Sequence, residues 1–305
     1  MNSNHLLITD RKKIREAWGK SDEDVMQDIK IIRDWLGTQK HLPEIPTDTM
    51  IEFFLTNCKY SIEKTKQNLD MYYTARDLVP DIYRNINPTI PSQVESAYAT
   101  ACMVILPNLT PKLHRVSIIR FRNDMLQKAD INKFNANSLS NFYEIRIHED
   151  LTMGDVTIID YEHCSFSVMA KLSLVAMKQC VFVFEKVQSS RLKQLHLLNP
   201  PAFIDKILTL LKSFMKSKIK ERIYIHKSIE DVYPFIPKDT LPSDYGGKER
   251  SMAELEDIWK KKFLEYKDRF DYLDKITVNE ALRPEKLKND ELLGYYGNFK
   301  KIQID

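Results

Sequence analysis

Glycine is scarce in this chain, with 7 in 305 residues. None of them stands in Gly-x-Gly-x-x-Gly, Gly-x-x-x-x-Gly-Lys or Gly-x-Ser-x-Gly. The loops that cradle phosphates and the turn that presents a hydrolase serine are therefore excluded on residue type alone. Cysteine is equally sparse: Cys58, Cys102, Cys164 and Cys180 lie far apart with no Cys-x-x-Cys spacing. That excludes a disulfide frame or a zinc ribbon and predicts reduced thiols used as small apolar core residues. Long apolar runs are missing too. The most apolar stretch, 172–187, is interrupted by Lys178 and Glu185, short of the ~20 apolar residues a spanning helix needs. Near the N-terminus Leu6, Leu7 and Ile8 form a patch too short for a signal peptide. The expectation is a soluble, globular, cytoplasmic chain.

A catalytic set is also lacking. Glu162, His163 and Cys164 are adjacent and invite a metal or Cys-His reading, but sequence neighbours seldom converge on one ion or substrate. His196 sits among apolar strand residues and reads as a satisfied core histidine rather than a general base. Glu149 and Asp150 are adjacent on a helix, so they face apart and read as solvated. The chain is expected not to be an enzyme and to need no metal or cofactor.

What is present starts with helices. Ser21 to Asp24 is a capping pattern before Val25, Ile29, Ile32, Trp35 and Leu36 at helical spacing. Helices are predicted over 48–57 and 62–78, the second ending near Pro80, and another from Ser92 carrying Val94, Ala97, Tyr98, Ala101 and Cys102 on one face. The pattern then changes. Short β-branched runs at 116–121, 156–160, 192–198 and 222–226 alternate with helical stretches near 137–150, 167–185 and 201–216. Strands separated by helices predict an α/β fold with a mostly parallel sheet. A capped helix over 251–273 and a surface tail with Pro284 close the chain. Residues 1–90, 91–250 and 251–305 are the expected units: a helical module, the α/β domain, and a helix with a wrapping tail.

Charge is uneven. Residues 186–227 hold ten Lys or Arg against Asp205 and Glu221, a local +8 in a chain whose net formal charge is +3. Such an excess suits an anionic partner, or is simply a solvated face. No nucleic-acid motif with stacking aromatics accompanies it, so an anionic membrane is favoured over nucleic acid. Within the window, Phe203, Ile204, Ile207, Leu208, Leu211, Phe214 and Met215 form a broad apolar stripe with lysines elsewhere on the helix. Both a core helix and a basic amphipathic helix at a bilayer fit that pattern.

"VTIIDYEHCSF", "LKQLHLLNPPAFIDKILTLLKSFMKSKIKERIYIH" and "LPSDYGG", in that order and spacing, resemble the CRAL-TRIO lipid-binding family. "FFLTNCKYSIEKTK" (53–66) is similar to the family's helical N-terminal module, and "VNEALRP" (278–284) to a C-terminal extension of its insect-type members. The resemblance implies a bowl with a sheet floor, a lid helix and one bound hydrophobic lipid such as a tocopherol, retinoid, carotenoid or other isoprenoid. Pocket positions carried over are Ile159, Cys180, Val183, Phe184, Leu195, Leu211 and Met215, with Phe203, Ile207 and Phe214 on the lid. All are apolar, which plain core would equally demand. Basic positions that bind phosphoinositide in the family fall on Arg191, Lys193, Lys218 and Arg222. A further basic position in the N-terminal module falls on Thr56, Asn57 and Cys58, which predicts weaker phosphoinositide binding. Asp160 and the Gly246-Gly247 pair are read as structural. The implied role is a monomeric cytosolic carrier that associates transiently with membranes; the rival is a phospholipid-sensing scaffold or phospholipid exchange protein.

Overall fold

A computed structural model describes residues 6–123, 126–188 and 191–285. Helices α1 (Arg11–Ala17), α2 (Asp22–Thr38), α3 (Asp48–Asn57), α4 (Ile62–Leu78) and α5 (Pro80–Tyr83) form the N-terminal module. Ser21 makes the full capping box with Asp24, as the pattern predicts, and Pro80 opens α5 where its missing N–H costs nothing. Next come α6 (Pro91–Thr100), β1 (Ala101–Ile105), β2 (His114–Phe121), α7 (Ile131–Glu149) and β3 (Gly154–Asp160). They are followed by α8 (Phe166–Met169), α9 (Leu174–Phe182), a π-helical turn (Val183–Val187), β4 (Leu192–Leu198), α10 (Ile204–Phe214), α11 (Ser217–Lys220) and β5 (Ile223–His226). Helices α12 (Met252–Glu265) and α13 (Lys267–Leu273) come last.

The five strands lie in the order β1-β2-β3-β4-β5, parallel except for β1, which runs antiparallel to β2. The fold is thus the predicted helical module and mostly parallel sheet with flanking helices. Several local readings are corrected. Ala101 and Cys102 leave the helix and open β1, an edge strand that follows α6 with no turn signal between them. The helix expected near 137–150 starts at Ile131, because Asp130 caps it through Asn132 N and Lys133 N. The single helix expected over 167–185 is α8, a turn, α9 and a π turn. The lid starts at Ile204, past the double proline, and the 251–273 helix breaks at Tyr266.

The larger core joins the N-terminal module to the reverse face of the sheet and to α12 and α13. Buried Glu144 on α7 ties these layers together, accepting from Arg76 of α4 (3.3 Å), Arg269 of α13 (2.8 Å) and the His148 ring (3.2 Å). The described tail straps the module: Arg283 grips Asp70 at 2.7 Å, and Asn279 N donates to His41 O. A smaller core, with Phe121, Phe134, Tyr161, Ile204 and Leu208, lies on the front face beneath α10.

Candidate functional site

Alternation along the strands decides what faces forward. Ser117, Ile119 and Phe121 on β2 and Asp155, Thr157 and Ile159 on β3 line a front-face cavity of about 340 Å³, while Val116, Ile118, Val156 and Ile158 enter the main core behind. On β4 the alternation shifts. Asp155 pairs with Leu192 but Val156 pairs with Gln194, so Lys193 is the extra residue of a β-bulge. The bulge lets both Leu192 and Leu195 face the cavity and turns Lys193 out of it. Gly154 makes room: its φ is +150°, and a Cβ there would lie 2.5 Å from Lys193 Cε. Basic residues thus flank a buried strand at 191–193 because the strand starts with a bulge.

Of the pocket positions, Ile159, Cys180, Phe184, Leu195, Leu211 and Met215 line the cavity. Val183 does not. The π turn rotates the helix face, so Val183 is fully buried in the main core while Phe184 and Glu185 turn toward the cavity. The lining is mostly apolar, with polar groups the sequence reading missed: Ser117 and Thr157 share a 3.0 Å hydrogen bond, Arg146 holds Asp155 at 2.6 Å, and Ser138 Oγ is buried with no partner among the described residues.

The lid packs lightly. Only Ile204 and Leu208 of α10 are buried, and Ile207 packs on the front core. Phe203 meets Phe166 edge-on at 5.5 Å, and Phe214 lies under the Lys178 ammonium at 5.3 Å. Glu185 fastens the lid's C-terminal end, accepting from Lys216 N and pairing with Lys216 Nζ, each at 3.2 Å. Phe166 (65% exposed), Leu174, Val175 and Leu210 present an apolar outer surface beside the lid.

The structure brings the four basic positions together. Burial, followed by the charges of Arg191, Arg222, Lys59 and Lys218, pushes the Lys193 ammonium below its usual pKa. Lys59 of the N-terminal module adds a cation that the sequence reading did not name. Lys59 and Tyr60 take left-handed φ values of 57° and 56° after α3, and that turn carries a cation one residue past the Thr56–Cys58 stretch to the cluster. The Arg191 guanidinium stacks on Trp18 at 4.5 Å, and Arg191 Nη1 and Trp18 Nε1 are buried donors with no acceptor among the described residues. Arg222 donates to Leu192 O. A cluster of donors and like charges short of acceptors is suited to an anion. Elsewhere Asp160 accepts from Tyr245 Oη (2.9 Å) and Asn199 (3.0 Å), tying the 241–247 loop to the end of β3. That loop needs glycine, since a Cβ at Gly247 would fall 1.8 Å from Leu241 O.

A sheet floor, a lidded apolar cavity and a cationic rim define an α/β carrier domain for a hydrophobic ligand. Family models agree: residues 21–93 match a Pinta-like UBA domain and residues 100–247 the CRAL/TRIO domain. The chain is 25% identical over 240 residues to the human alpha-tocopherol transfer protein-like protein, covering 77% of this chain and 69% of that one. It is 24% identical over 293 residues to clavesin-2 of Rattus norvegicus, covering 92% and 88%. The crystal structure of Sfh5 shares the fold, with a TM-score of 0.51 at 14% identity over 78% of this chain and 92% of that one. Residues 100–247 are thus a CRAL/TRIO domain, and lipid binding and transfer is its general activity. Among the described residues no helix is long and apolar enough to cross a membrane.

Proposed function

We propose that this protein is a monomeric, non-enzymatic cytoplasmic carrier that holds one small isoprenoid-type lipid, such as a tocopherol, retinoid or carotenoid, and releases it at phosphoinositide-containing membranes. The observation that carries the reading is the single-faced apolar cavity closed by a lightly packed lid beside the five-cation cluster. Its volume of about 340 Å³ falls within the usual range for ligand pockets, roughly 300–1,000 Å³. Apolar lipid surface gains about 25 cal/mol per Å² on leaving water, so tight holding requires no chemistry and no cofactor. The Ser138 hydroxyl, buried with no partner among the described residues, supports a ligand with one polar group at an otherwise hydrocarbon body.

Release follows from differential binding. Lys59, Arg191, Lys193, Lys218 and Arg222 attract an anionic leaflet, and Phe166, Leu174 and Leu210 give the docked face an apolar surface to insert. A membrane that binds the open-lid state better shifts the population toward it, and the cargo passes between cavity and bilayer. The test is to equilibrate the purified protein with a total lipid extract, re-isolate it, and identify what it holds by mass spectrometry. One isoprenoid at near one per chain is expected. A phospholipid mixture would replace this reading with phospholipid exchange, and an empty protein would replace it with a membrane-recruited scaffold.

A further inference from the structure

Behind the sheet, on the face opposite the lipid cavity, lies a second cleft of about 380 Å³. His114 of β2 and Gln194 of β4 form its floor, Lys112 and Lys193 its two cations, and Tyr233 and Phe235 its wall. None of the described residues lining it is acidic. The wall is braced: Phe235 packs at 5.0 Å on both His196 and Tyr224, and His196 is itself held by His226 at 2.8 Å. Lys238 lies over the Tyr233 ring at 5.2 Å. Asp155, paired with Arg146 at 2.6 Å, is felt at His114 but is not among the residues lining the cleft.

Two cations in a cleft with no acidic residue among the described residues of its lining, facing aromatic and prolyl walls, suit a compact anion mounted on a ring. We propose that the reverse-face cleft binds a soluble phosphate ester carried on a ring, of the inositol phosphate class, and that its occupation weakens membrane docking because Lys193 serves both sites. The bulge is what makes Lys193 common to them: it turns the side chain out of the cavity, between the cluster and the cleft. The antagonism rests on the docking reading given above; occupation of the cleft does not.

His114 supplies a reporter. Burial, then Lys193 and, more weakly, Lys112 and Arg191, against the opposing charge of Asp155, lower its pKa to about 4. A phosphate between the lysines raises it. Proton NMR titration of the seven histidines, with His114→Gln identifying the signal, reads this directly. Soluble inositol bisphosphate should raise the His114 pKa by about one unit. The shift should vanish in Lys112→Ala and persist in Lys218→Gln; no shift, or the reverse pattern, overturns the site. An equal shift from inorganic phosphate overturns recognition of the ring. In a vesicle sedimentation assay the same compound should lower binding to phosphoinositide vesicles several-fold in the native protein and not in Lys112→Ala. Phosphoinositide vesicles should raise His114 less than the soluble compound does, through Lys193 and Arg191 alone, and equally in Lys112→Ala; a vesicle shift that is lost in Lys112→Ala overturns the antagonism by making the cleft part of the lipid site. A protein that shows the soluble-ligand shift yet never binds vesicles refutes docking and leaves the cleft standing.

Discussion

Neutralising Lys193 and Lys218 together separates attraction to membranes from holding the fold. Among the described residues neither ammonium makes an ion pair or a hydrogen bond, unlike Arg191 on Trp18 and Arg222 on Leu192 O. Burial, and then four like charges around it, lower the Lys193 pKa, so its charge opposes the folded state. Lys193→Gln/Lys218→Gln should therefore melt at the native temperature or slightly above it. Each cation near an anionic leaflet contributes about 1 kcal/mol, so losing two costs about 2 kcal/mol, or roughly 30-fold in vesicle affinity at low salt. Screening should shrink that difference as ionic strength rises. Sedimentation with phosphoinositide vesicles at several salt concentrations, beside thermal melts and retention of a fluorescent lipid, supplies the three readouts. Unchanged vesicle binding would refute the role of the cluster. A parallel loss of lipid retention would show that the lysines hold the cavity together.

Ile159→Trp fills the centre of the cavity floor; it should cut lipid retention at least tenfold with little change in melting temperature, since the space is already there. Glu185→Ala removes the partner of Lys216 at the lid's end. Because Lys216 is exposed, the loss should be about 1 kcal/mol, and lipid release followed by stopped flow should accelerate about fivefold. Burial and the neighbouring His226 lower the His196 pKa to about 4, so the folded state disfavours its charged form. Stability from this residue is complete above the unfolded value near 6.5 and falls as pH drops from there toward 4, by about 3 kcal/mol in all. Denaturant titrations across that window should show the loss, and His196→Asn should remove its share while leaving that of His114, whose pKa burial and Lys193 also lower to about 4.

Much of the architecture was legible because it depends on local periodicity. The β-branched runs at 116–121 and 156–160 mark strands, and the stripe from Phe203 to Met215 marks an amphipathic helix, whose role as a lid came with the family resemblance. The capping box at Ser21 and the stop at Pro80 are equally local. The positions of the basic cluster came through the family resemblance, since a lysine-rich window fits a solvated face as well as a binding site.

Other features rest on register and packing, which no window of sequence contains. Strand β1 was hidden because a short apolar run that continues a helix has no period of its own, and pairing with β2 decides it. The bulge at Lys193 exists only in relation to β3, yet it assigns Leu195 to the cavity and Lys193 to the outside. A π turn buries Val183 one position before the exposed cavity edge at Phe184, against simple helical spacing. Lys59 reaches the cluster only because two left-handed residues redirect the chain. The sequence by itself determined which elements form and which of their faces are apolar. Tertiary structure decided which of those faces enclose a cavity and which charges share one field, because both depend on distances between residues far apart along the chain.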